Sequence, residues 1–445
     1  MLPPGPRLPA AAQTLAWVLR PVPFMEAAHR RHGDLFTLKL GPSNVVMIAD
    51  PAAVRQVFQG PPDLLHMGDI NGLFRPILGS TGLLVTDGRD HLRQRKLMLP
   101  PFHGQRMRAY GELMTEVAER EVSSWPLHEE FPLLPRMQSI TVDVILGAVF
   151  GIDDATVGRD RLRALVVELL HRCQSYSTML PQLRRSLAGR SPWARLMRCV
   201  EEVDEVLYAE IARRRAHGSP GDDVLSMLLD ARDESGDPLT DVELRDELLT
   251  LLVAGHETTA SALAFAFERL LRHPEQLQQL TDELSWGDET YLDAVIKETL
   301  RLRPVLPIVA RKLKGDFEVG GYDLPRRTVV MPNVWLVHHN PDVYPDPQAF
   351  RPERFLTTQP DTYAWIPFGG GVRRCLGASF AQFEMRVVLK TVLSRAVLAA
   401  KPESERVVRR SFTFAPEHGT NVVMLRRLAR NRRFVRDTEK TPASA

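Results

Sequence analysis

Most of the chain carries hydrophobic residues at the spacing of α-helices that bury one face. The pattern predicts helices over residues 23–33, 53–59, 90–150, 160–216 and 289–302. Alternating segments set off by glycine and proline predict a β-hairpin at 34–48 and strands near 317–330, 411–414 and 421–425. The chain is therefore expected to be mainly α with a minor β part.

One predicted helix is much longer than the others. Thr240-Asp-Val-Glu243 has the form of a capping box, and the helical periodicity continues to Arg272, where His273-Pro274 ends it. About 32 residues at 1.5 Å each give roughly 48 Å, enough to cross a whole domain. Its apolar composition predicts that this helix is buried.

A second amphipathic segment, Leu376 to Leu398, follows directly on Cys375. A cysteine at a helix start is placed where backbone N–H groups favour an anion, and Arg373 and Arg374 add positive charge. The glycines around it, Gly371 and Gly377 among them, let backbone approach a flat ligand or adopt positive φ. Such a thiolate suits haem iron. The alternative is a small buried hydrophobe, which is what most free cysteines are.

The run Phe368-Gly-Gly-Gly-Val-Arg-Arg-Cys375-Leu-Gly377 satisfies Phe-x-x-Gly-x-Arg-x-Cys-x-Gly at every position. It resembles the haem-binding loop of the cytochrome P450 family. The resemblance implies the cytochrome P450 fold, with a long central helix and a haem-thiolate loop. It also implies haem b, with Cys375 on the iron and Phe368, Gly371, Arg373 and Gly377 in the binding loop.

The long helix contains Ala254-Gly-His-Glu-Thr-Thr259 near its middle. A glycine followed by hydroxyl residues is where a helix can open, because serine and threonine side chains compete for the preceding carbonyls. The segment resembles the family's oxygen-activation signature, which implies that Glu257 is the catalytic acid and Thr258 the catalytic alcohol. Taken alone, Thr258 would be a back-bonded hydroxyl and Glu257 part of an exposed face.

Glu298 and Arg301 are three residues apart on one predicted helix and can pair. An ordinary surface pair of this kind is worth well under ~1 kcal/mol. The resemblance implies instead a buried triad, completed by Arg354 of Pro352-Glu-Arg354-Phe355, that locks the loop presenting Cys375.

Four further residues match the family's positions for the haem propionates: His91, Arg95, Arg311 and Arg373. His91 and Arg95 are four apart and share a helical face. For each arginine alone, the alternative is a solvated surface charge.

The resemblance places the substrate pocket between the turn-rich residues 60–88, the region 165–197, the long helix before Gly255 and the segments 305–309 and 412–414. The candidate wall residues are all apolar: Phe74, Leu78, Val253, Val305, Leu306, Ile308, Val309 and Phe412. A hydrophobic substrate is therefore expected, such as a fatty acid, a terpenoid or a similar lipophile. For each of these residues, the alternative to lining a pocket is ordinary packing in the hydrophobic core.

Composition narrows the function classes. The net charge is +2 and charged residues make up 25% of the chain, which does not suggest a nucleic-acid partner.

The other two cysteines, Cys173 and Cys199, form no C-x-x-C motif, so they are predicted to be packing residues rather than ligands of zinc. No apolar run of the ~18–20 residues needed for a transmembrane anchor and no secretory leader is apparent, so a soluble cytoplasmic protein is expected.

No linker, repeat or low-complexity run divides the sequence, which favours one domain over residues 1–445. The proline-rich start, residues 1–20, and the basic tail, residues 426–445, are expected to be flexible. Only about 70 residues follow Cys375, too few for a flavin reductase domain. Electrons are therefore expected from a separate ferredoxin or flavodoxin with its reductase.

The sequence thus predicts a haem-thiolate monooxygenase that inserts one atom of O2 into a hydrophobic small molecule. One alternative is a haem-thiolate isomerase or dehydratase that acts on a peroxide without a reductase, and the retained Glu257–Thr258 pair opposes it. Another is a haem sensor, which would need an output segment that the sequence does not display. With Arg95 and Arg373 assigned to propionates, the expected docking cations for an acidic redox partner are Arg93, Lys96 and Arg374.

Overall fold

The computed structural model describes residues 1–102, 106–151, 159–173, 184, 189–218, 221–357, 360–401, 403, 405–410 and 412–429. Helices dominate these ranges, as predicted. They are α1 (Ala10–Leu19), α2 (Pro21–His32), α3 (Pro51–Gln59), α4 (Gly68–Asn71), α5 (Arg75–Leu78), α6 (Gly88–Met98), α7 (Arg106–Ser123), α8 (Leu133–Phe150), α9 (Arg159–Cys173), α10 (Pro192–His217), α11 (Val224–Asp230), α12 (Asp241–Leu271), α13 (Pro274–Trp286), α14 (Thr290–Leu302), α15 (Val334–His338), α16 (Arg354–Thr357) and α17 (Ala378–Arg395).

The strands are short and mostly lie in the first and last thirds of the chain. They are β1 (Leu35–Leu40), β2 (Ser43–Ile48), β3 (Leu65–His66), β4 (Glu130–Pro132), β5 (Arg311–Leu313), β6 (Phe317–Val319), β7 (Tyr322–Leu324), β8 (Val329–Pro332), β9 (Ala396–Ala400), β10 (Val407–Arg410), β11 (Thr413–Pro416) and β12 (Asn421–Arg427). The minor β part predicted from the sequence is confirmed.

The strands form four small sheets. The largest has the order β1-β2-β8-β5-β3, and a second has the order β4-β12-β9. The predicted hairpin is confirmed, because β1 and β2 pair antiparallel in a register that runs from Leu35 opposite Ile48 to Leu40 opposite Ser43. Within the largest sheet β2 and β8 are parallel, whereas β6–β7 and β10–β11 are separate antiparallel hairpins.

The central helix α12 begins as the sequence predicts. The Thr240 hydroxyl accepts a hydrogen bond from the Glu243 N–H at 3.2 Å, and the Glu243 carboxylate accepts one from the Thr240 N–H at 2.8 Å. Most of its side chains are buried, and it packs closely on α8. At their contact, a Cβ on Gly255 would lie 3.2 Å from Ile145 Cδ1, so this glycine permits the close approach.

The helix after Cys375 starts later than predicted. Gly377 is the N-cap of α17, whose first residue is Ala378, and the chain turns into β9 after Arg395. Cys375 therefore precedes the helix instead of opening it. The amphipathic pattern extended the prediction in both directions, because apolar periodicity alone does not mark a glycine N-cap or a buried strand.

The start of the chain is not the loose segment that was predicted. Pro3 and Pro4 carbonyls accept hydrogen bonds from the side chain and the N–H of Thr37, at 2.7 and 2.8 Å. The Gln13 side chain accepts another from the N–H of Lys39 at 2.9 Å. The start is therefore fastened to β1. Of the predicted flexible tail, residues 430–445 lie outside the described residues.

Two helices, contrary to the expectation from sequence, are long and apolar enough to cross a membrane by length and composition. These are Leu133–Phe150 and Asp241–Leu271, and 72% and 67% of their most apolar windows are buried inside the protein. Core helices pass the same test of length and composition, and both of these helices lie in the core of the protein.

Candidate functional site

The segment that carries Cys375 is a tight loop packed on helix α3. Gly369 and Gly371 have φ values of 66° and 64°, in the region that favours glycine. A Cβ on Gly371 would lie 2.1 Å from the carbonyl oxygen of Phe58, so no larger residue fits there. The Cys375 N–H donates to the Phe368 carbonyl at 2.9 Å, which closes the loop. At Gly377, by contrast, an added Cβ would meet nothing within 4 Å.

The Cys375 thiol lies in a recess. Its side chain is exposed, yet burial raises its pKa, while the Gly377 N–H and the charges of Arg95 and Arg374 oppose that rise. Both observations hold for a group that is accessible but surrounded by protein. The predicted stabilisation of the thiolate by the protein alone is therefore wrong, because burial outweighs it. A metal ion would supply what is missing, since a coordinating thiol is deprotonated outright.

The other two cysteines are less accessible, because Cys173 is half-buried and Cys199 is buried. Cys199 is buried and its thiol donates to the Leu165 carbonyl at 3.6 Å. Burial raises the pKa of Cys173 to about 12 and that of Cys199 to about 11. Both belong to the apolar core around α9 and α10, as predicted.

Helix α12 has an accessible stripe in its otherwise buried middle. Ala254 is exposed, and Leu251 and Thr258, which share its helical face, are half-buried. The Thr258 hydroxyl donates to the Ala254 carbonyl at 2.8 Å, and the Thr259 hydroxyl donates to the Gly255 carbonyl at 3.2 Å. Both threonines therefore bond the carbonyls where the sequence predicted an opening. Helix α12 also packs against α17, the helix that follows Cys375.

Glu257 is a mostly buried acid with one free oxygen. Its Oε2 accepts a hydrogen bond from Gln138 Nε2 at 2.7 Å, whereas Oε1 is buried and has no hydrogen-bond partner among the described residues. Burial raises the pKa of Glu257, and the hydrogen bond from Gln138 and the charge of Arg410 oppose the rise. Burial thus shifts Glu257 toward its neutral form, and Oε1 is the oxygen that the Gln138 bond leaves free. Sequence reasoning missed Gln138, because no local pattern links α8 to α12.

The four residues predicted to meet propionates lie together. His91 and Arg311 are buried, and Arg95 and Arg373 are half-buried. Burial and the charges of Arg373, Arg95 and Arg311 lower the pKa of His91 to about 3, so its imidazole is neutral. Burial also lowers the pKa of Arg311 and of Arg373 to about 10 each. The prediction that these side chains share one site agrees with this clustering.

The charges of this cluster are only partly balanced. Arg373 pairs with Asp87 at 2.5 Å and donates to the Leu83 carbonyl at 3.0 Å. Arg311 donates to the Ala310 carbonyl at 2.8 Å and approaches the sulfur of Met67, with no carboxylate bonded to it in the described ranges. Buried cations require compensation. An accessible thiol beside excess positive charge fits haem, whose iron takes a thiolate and whose propionates take cations.

Asp87 was not singled out from the sequence. Its carboxylate accepts hydrogen bonds from the N–H groups of Met67, Gly68 and Asp69 at 2.9, 3.0 and 3.1 Å, in addition to its pair with Arg373. Asp87 therefore ties the chain around α4 to the cysteine loop. The only local signal was the dipeptide Asp87-Gly88, which is common in turns.

Two of the cations expected to meet a redox partner are already paired. Arg93 bonds Asp233 at 2.5 Å and Glu243 at 2.6 Å, and Lys96 bonds Glu234 at 2.5 Å. Arg93 is therefore committed to two carboxylates, against the prediction. Lys96 keeps 64% of its side chain exposed in its pair with Glu234, so its role toward an acidic partner stays a prediction. Arg374 is exposed and forms no ion pair with the described part of the chain.

The predicted triad is present and buried. Arg301 Nε and Nη2 donate to the two oxygens of Glu298 at 2.7 and 2.8 Å, and Arg354 Nε donates to Glu298 Oε1 at 3.1 Å. The Glu298 and Arg301 side chains are both 0% exposed. The Arg301 guanidinium also lies 5.0 Å from the centre of the Tyr344 ring. The alternative of a surface pair is excluded.

The triad connects to the cysteine loop through His338. Arg301 Nη1 donates to the His338 carbonyl at 2.7 Å, and His338 Nε2 accepts from the Ile366 N–H at 2.9 Å. Trp365 Nε1 donates to the Lys297 carbonyl at 3.2 Å. The residues just before Phe368 are thus held by α14 and α15. Sequence reasoning missed His338, which lies in an apolar segment with no polar pattern.

Part of the predicted substrate wall is brought together. The rings of Phe74 and Phe412 are 5.4 Å apart, and the Phe414 N–H donates to the Val305 carbonyl at 2.7 Å. Leu78 and Val305 are buried core residues, whereas the other candidates retain access: Phe74, Val253, Leu306, Ile308, Val309 and Phe412. In the predicted region 165–197, residues 174–183 and 185–188 lie outside the described residues.

Comparisons with known proteins give consistent matches. A family model described as Cytochrome P450 matches residues 3–412. The putative cytochrome P450 135B1 of Mycobacterium tuberculosis is 42% identical over 433 residues, which cover 95% of this chain and 91% of that protein. The putative cytochrome P450 137 of the same species is 39% identical over 417 residues, with coverages of 93% and 87%. The solved structure of retinoic acid-bound cyanobacterial CYP120A1 has a TM-score of 0.83 at 26% identity, with coverages of 96% and 100%.

Proposed function

Because the chain belongs to the cytochrome P450 family, we propose that Cys375 is the residue whose thiolate ligates its haem iron. The protein is a haem-thiolate monooxygenase, an oxidoreductase that uses O2 and electrons from a redox partner. Haem with a thiolate ligand supplies the cleavage of the O–O bond. The observation that carries the assignment is the exposed side chain of Cys375 in its glycine-rich loop, whereas Cys173 is half-buried and Cys199 is buried.

The cations beside Cys375 orient the macrocycle. Arg311, Arg95 and His91 bind the propionates, and Arg373 divides its donors between a propionate and Asp87. Arginine–carboxylate contacts fix direction as well as distance. The open space above Gly377 and the turn at Gly371 complete the binding loop, with Phe368 against Trp365, ring centres 6.1 Å apart, as its fixed end.

Glu257 and Thr258 deliver protons. Burial raises the pKa of Glu257, and because Oε2 accepts from Gln138, Oε1 is the oxygen that can carry the proton to be delivered. Thr258 can rotate its hydroxyl from the Ala254 carbonyl toward the accessible side of the stripe. General acids work best when their proton is available at the operating pH. The retained pair favours O2-dependent oxygen insertion over rearrangement of a peroxide.

The substrate is a hydrophobic small molecule, such as a fatty acid or a terpenoid. The accessible wall candidates are apolar, and Phe74 and Phe412 present ring surface to one another. The cyanobacterial relative binds retinoic acid, a lipophile, and this supports the same substrate class here. Electrons come from a ferredoxin or flavodoxin with its reductase, which meets the exposed Arg374. The chain acts as one soluble cytoplasmic domain.

Replacement of Cys375 by serine tests the central assignment. The variant is expected to lose the red-shifted absorption band of the reduced carbon monoxide complex and nearly all turnover. Cys173→Ser, at a half-buried cysteine in the core, is the matched control and should keep the band. Retention of the band in Cys375→Ser would assign the iron to another ligand.

A further inference from the structure

A largely apolar cavity of about 660 Å³ lies between α13, the end of α17 and strand β9. Its volume is within the roughly 300–1,000 Å³ that proteins use to bind ligands. Among the described residues that line it, Arg426 is the only charged one, and it is exposed. Apolar side chains that enter the cavity leave water, which is favourable. Six leucines contribute to its wall: Leu271, Leu277, Leu284, Leu393, Leu398 and Leu428.

The last two residues that the structure describes also line this cavity. They are Leu428 and Ala429. The Leu428 N–H donates to the Arg395 carbonyl at 2.7 Å, which fixes the place where the chain leaves β12. The segment 430–445, which we call the tail, therefore starts at the cavity wall.

The tail contains one apolar pair among basic residues. Phe434 and Val435 are the only apolar residues between Arg430 and Lys440, and arginines occupy positions 430, 432, 433 and 436. Phe434 is five residues beyond Ala429, and five residues of extended chain span at most about 17 Å. The aromatic ring is therefore close enough in sequence to return to the wall from which the tail starts.

Helix α13, which forms one side of the cavity, carries the opposite charge. Its 13 residues include three acidic ones and no lysine, arginine or histidine. Asp282 is exposed and accepts a hydrogen bond at 2.8 Å from Gln278, which lines the cavity. Just before the helix, Arg269 and Arg272 both pair with Glu268. A carboxylate without an ion pair to the described part of the chain thus lies at the rim of the cavity.

We propose that the tail folds back along α13 and that the side chains of Phe434 and Val435 occupy the cavity. Burial of the aromatic ring supplies most of the affinity. The arginines beside the ring meet Asp282 at the rim, and exposed ion pairs of this kind fix the register of docking more than they add affinity. The proposal uses none of the residues assigned to the haem site, so it does not rest on the function proposed for that site.

The tail of the same chain is a better occupant than a second molecule. Because only five residues separate Phe434 from the cavity wall, its effective concentration there is on the order of millimolar. The tail of a second copy would have to compete from its much lower concentration in solution. The chain's own tail therefore needs only a modest binding energy to fill the cavity.

Cysteine pairs in the full-length holoenzyme test the proposal. Val435→Cys with Gln278→Cys places one thiol in the tail and one at the cavity, and it keeps the ring of Phe434. A disulfide requires Cα atoms roughly 4.4–6.8 Å apart, so its formation under mild oxidation by diamide reports direct contact. Mass spectrometry after digestion is expected to identify the linked peptide, formed within single chains. Failure of this pair to link would overturn the proposal.

Gln279 provides the matched control. It is the next residue of α13, is also exposed and donates to a carboxylate one turn away, but it does not line the cavity. Val435→Cys with Gln279→Cys should link at least about fivefold less than the Gln278 pair, because a docked tail does not reach that face. Equal yields from the two pairs would indicate a freely moving tail and overturn the proposal.

Two further measurements separate the ring and the occupant. Adding Phe434→Ser to the Gln278 pair should reduce its yield to that of the control, and an unchanged yield would refute the role of the ring. Disulfide-linked dimers on non-reducing gels, at yields that rise with protein concentration, would assign the cavity to the tail of another copy and overturn docking within one chain.

Discussion

Removal of the Glu298 carboxylate is the sharpest test of how the fold supports the site. In Glu298→Ala, the fully buried guanidinium of Arg301 loses its two charge-assisted hydrogen bonds, at 2.7 and 2.8 Å. Arg354 Nε and the Arg351 N–H lose the same acceptor. Arg301 keeps bonds to backbone carbonyls, including that of His338, so its N–H groups are partly satisfied while its charge is not.

The expected decrease in the free energy of unfolding follows from these lost contacts. Removing one partner of a buried pair costs roughly 3–5 kcal/mol because an uncompensated charge stays behind. Whole proteins are stable by only about 5–15 kcal/mol, so the change consumes a large share of the total. Glu116→Ala is the matched control, since Glu116 forms an exposed helical pair with Arg120 at 3.8 Å. Its loss should cost at most about 1 kcal/mol.

The assay is urea unfolding of each purified variant, followed by far-UV circular dichroism, together with the fraction of protein that retains haem. Glu298→Ala should unfold at a much lower urea concentration than the parent and retain little haem, because the triad holds the residues before Phe368. Glu116→Ala should resemble the parent in both measurements. Equal urea midpoints for the two variants would refute the reasoning that burial makes this pair indispensable.

The remaining predictions concern protons. Thr258→Ala should bind haem and substrate but divert reducing equivalents to peroxide or water, which the ratio of product to electrons consumed will show; an unchanged ratio would leave Thr258 with only a helical role. Product coupling should fall as pH rises through the pKa of Glu257, because the acid then loses its proton. Gln138→Leu should move that fall to higher pH, because the lost hydrogen bond favoured the charged form of Glu257. Glu257→Gln should abolish the fall. A pH profile that is the same in the parent and both variants would count against proton delivery by Glu257. Burial raises the pKa of Glu247 to about 8, so the folded state holds a proton that the unfolded state has released, and stability should decline as pH rises from about 4.5 to 8. Glu247→Gln should make that decline shallower in urea titrations at several pH values, and an identical slope would contradict the shifted pKa.

Features that depend on neighbouring residues were predicted well. The capping box at Thr240 is local, and it set the start of α12 correctly. The loop around Cys375 was found because its glycines and cysteine are consecutive in sequence. The error at the start of α17 has the same origin, because apolar periodicity continues through Leu376 although the helix begins after Gly377.

Features that depend on distant partners could not be predicted. Lys96 looked free because Glu234, its partner, is 138 residues away. Gln138 reaches Glu257 across 119 residues, and nothing in either local sequence points to the other. The pKa of the Cys375 thiol was misjudged for a related reason. Local positive charge can be read from a sequence, whereas the depth of the surrounding protein cannot.

The path from Arg301 through His338 to Ile366 has a consequence for the order of folding. The Ile366 N–H meets His338 across 28 residues, and Trp365 meets the Lys297 carbonyl across 68. During synthesis these contacts form only after Trp365 and Ile366, just before the cysteine loop, have emerged, whereas His91 and Arg95 emerge far earlier. Non-local contacts of this kind form slowly because a loop must close first. We therefore expect the nascent chain to bind haem late, after its C-terminal third has packed against the preceding helices.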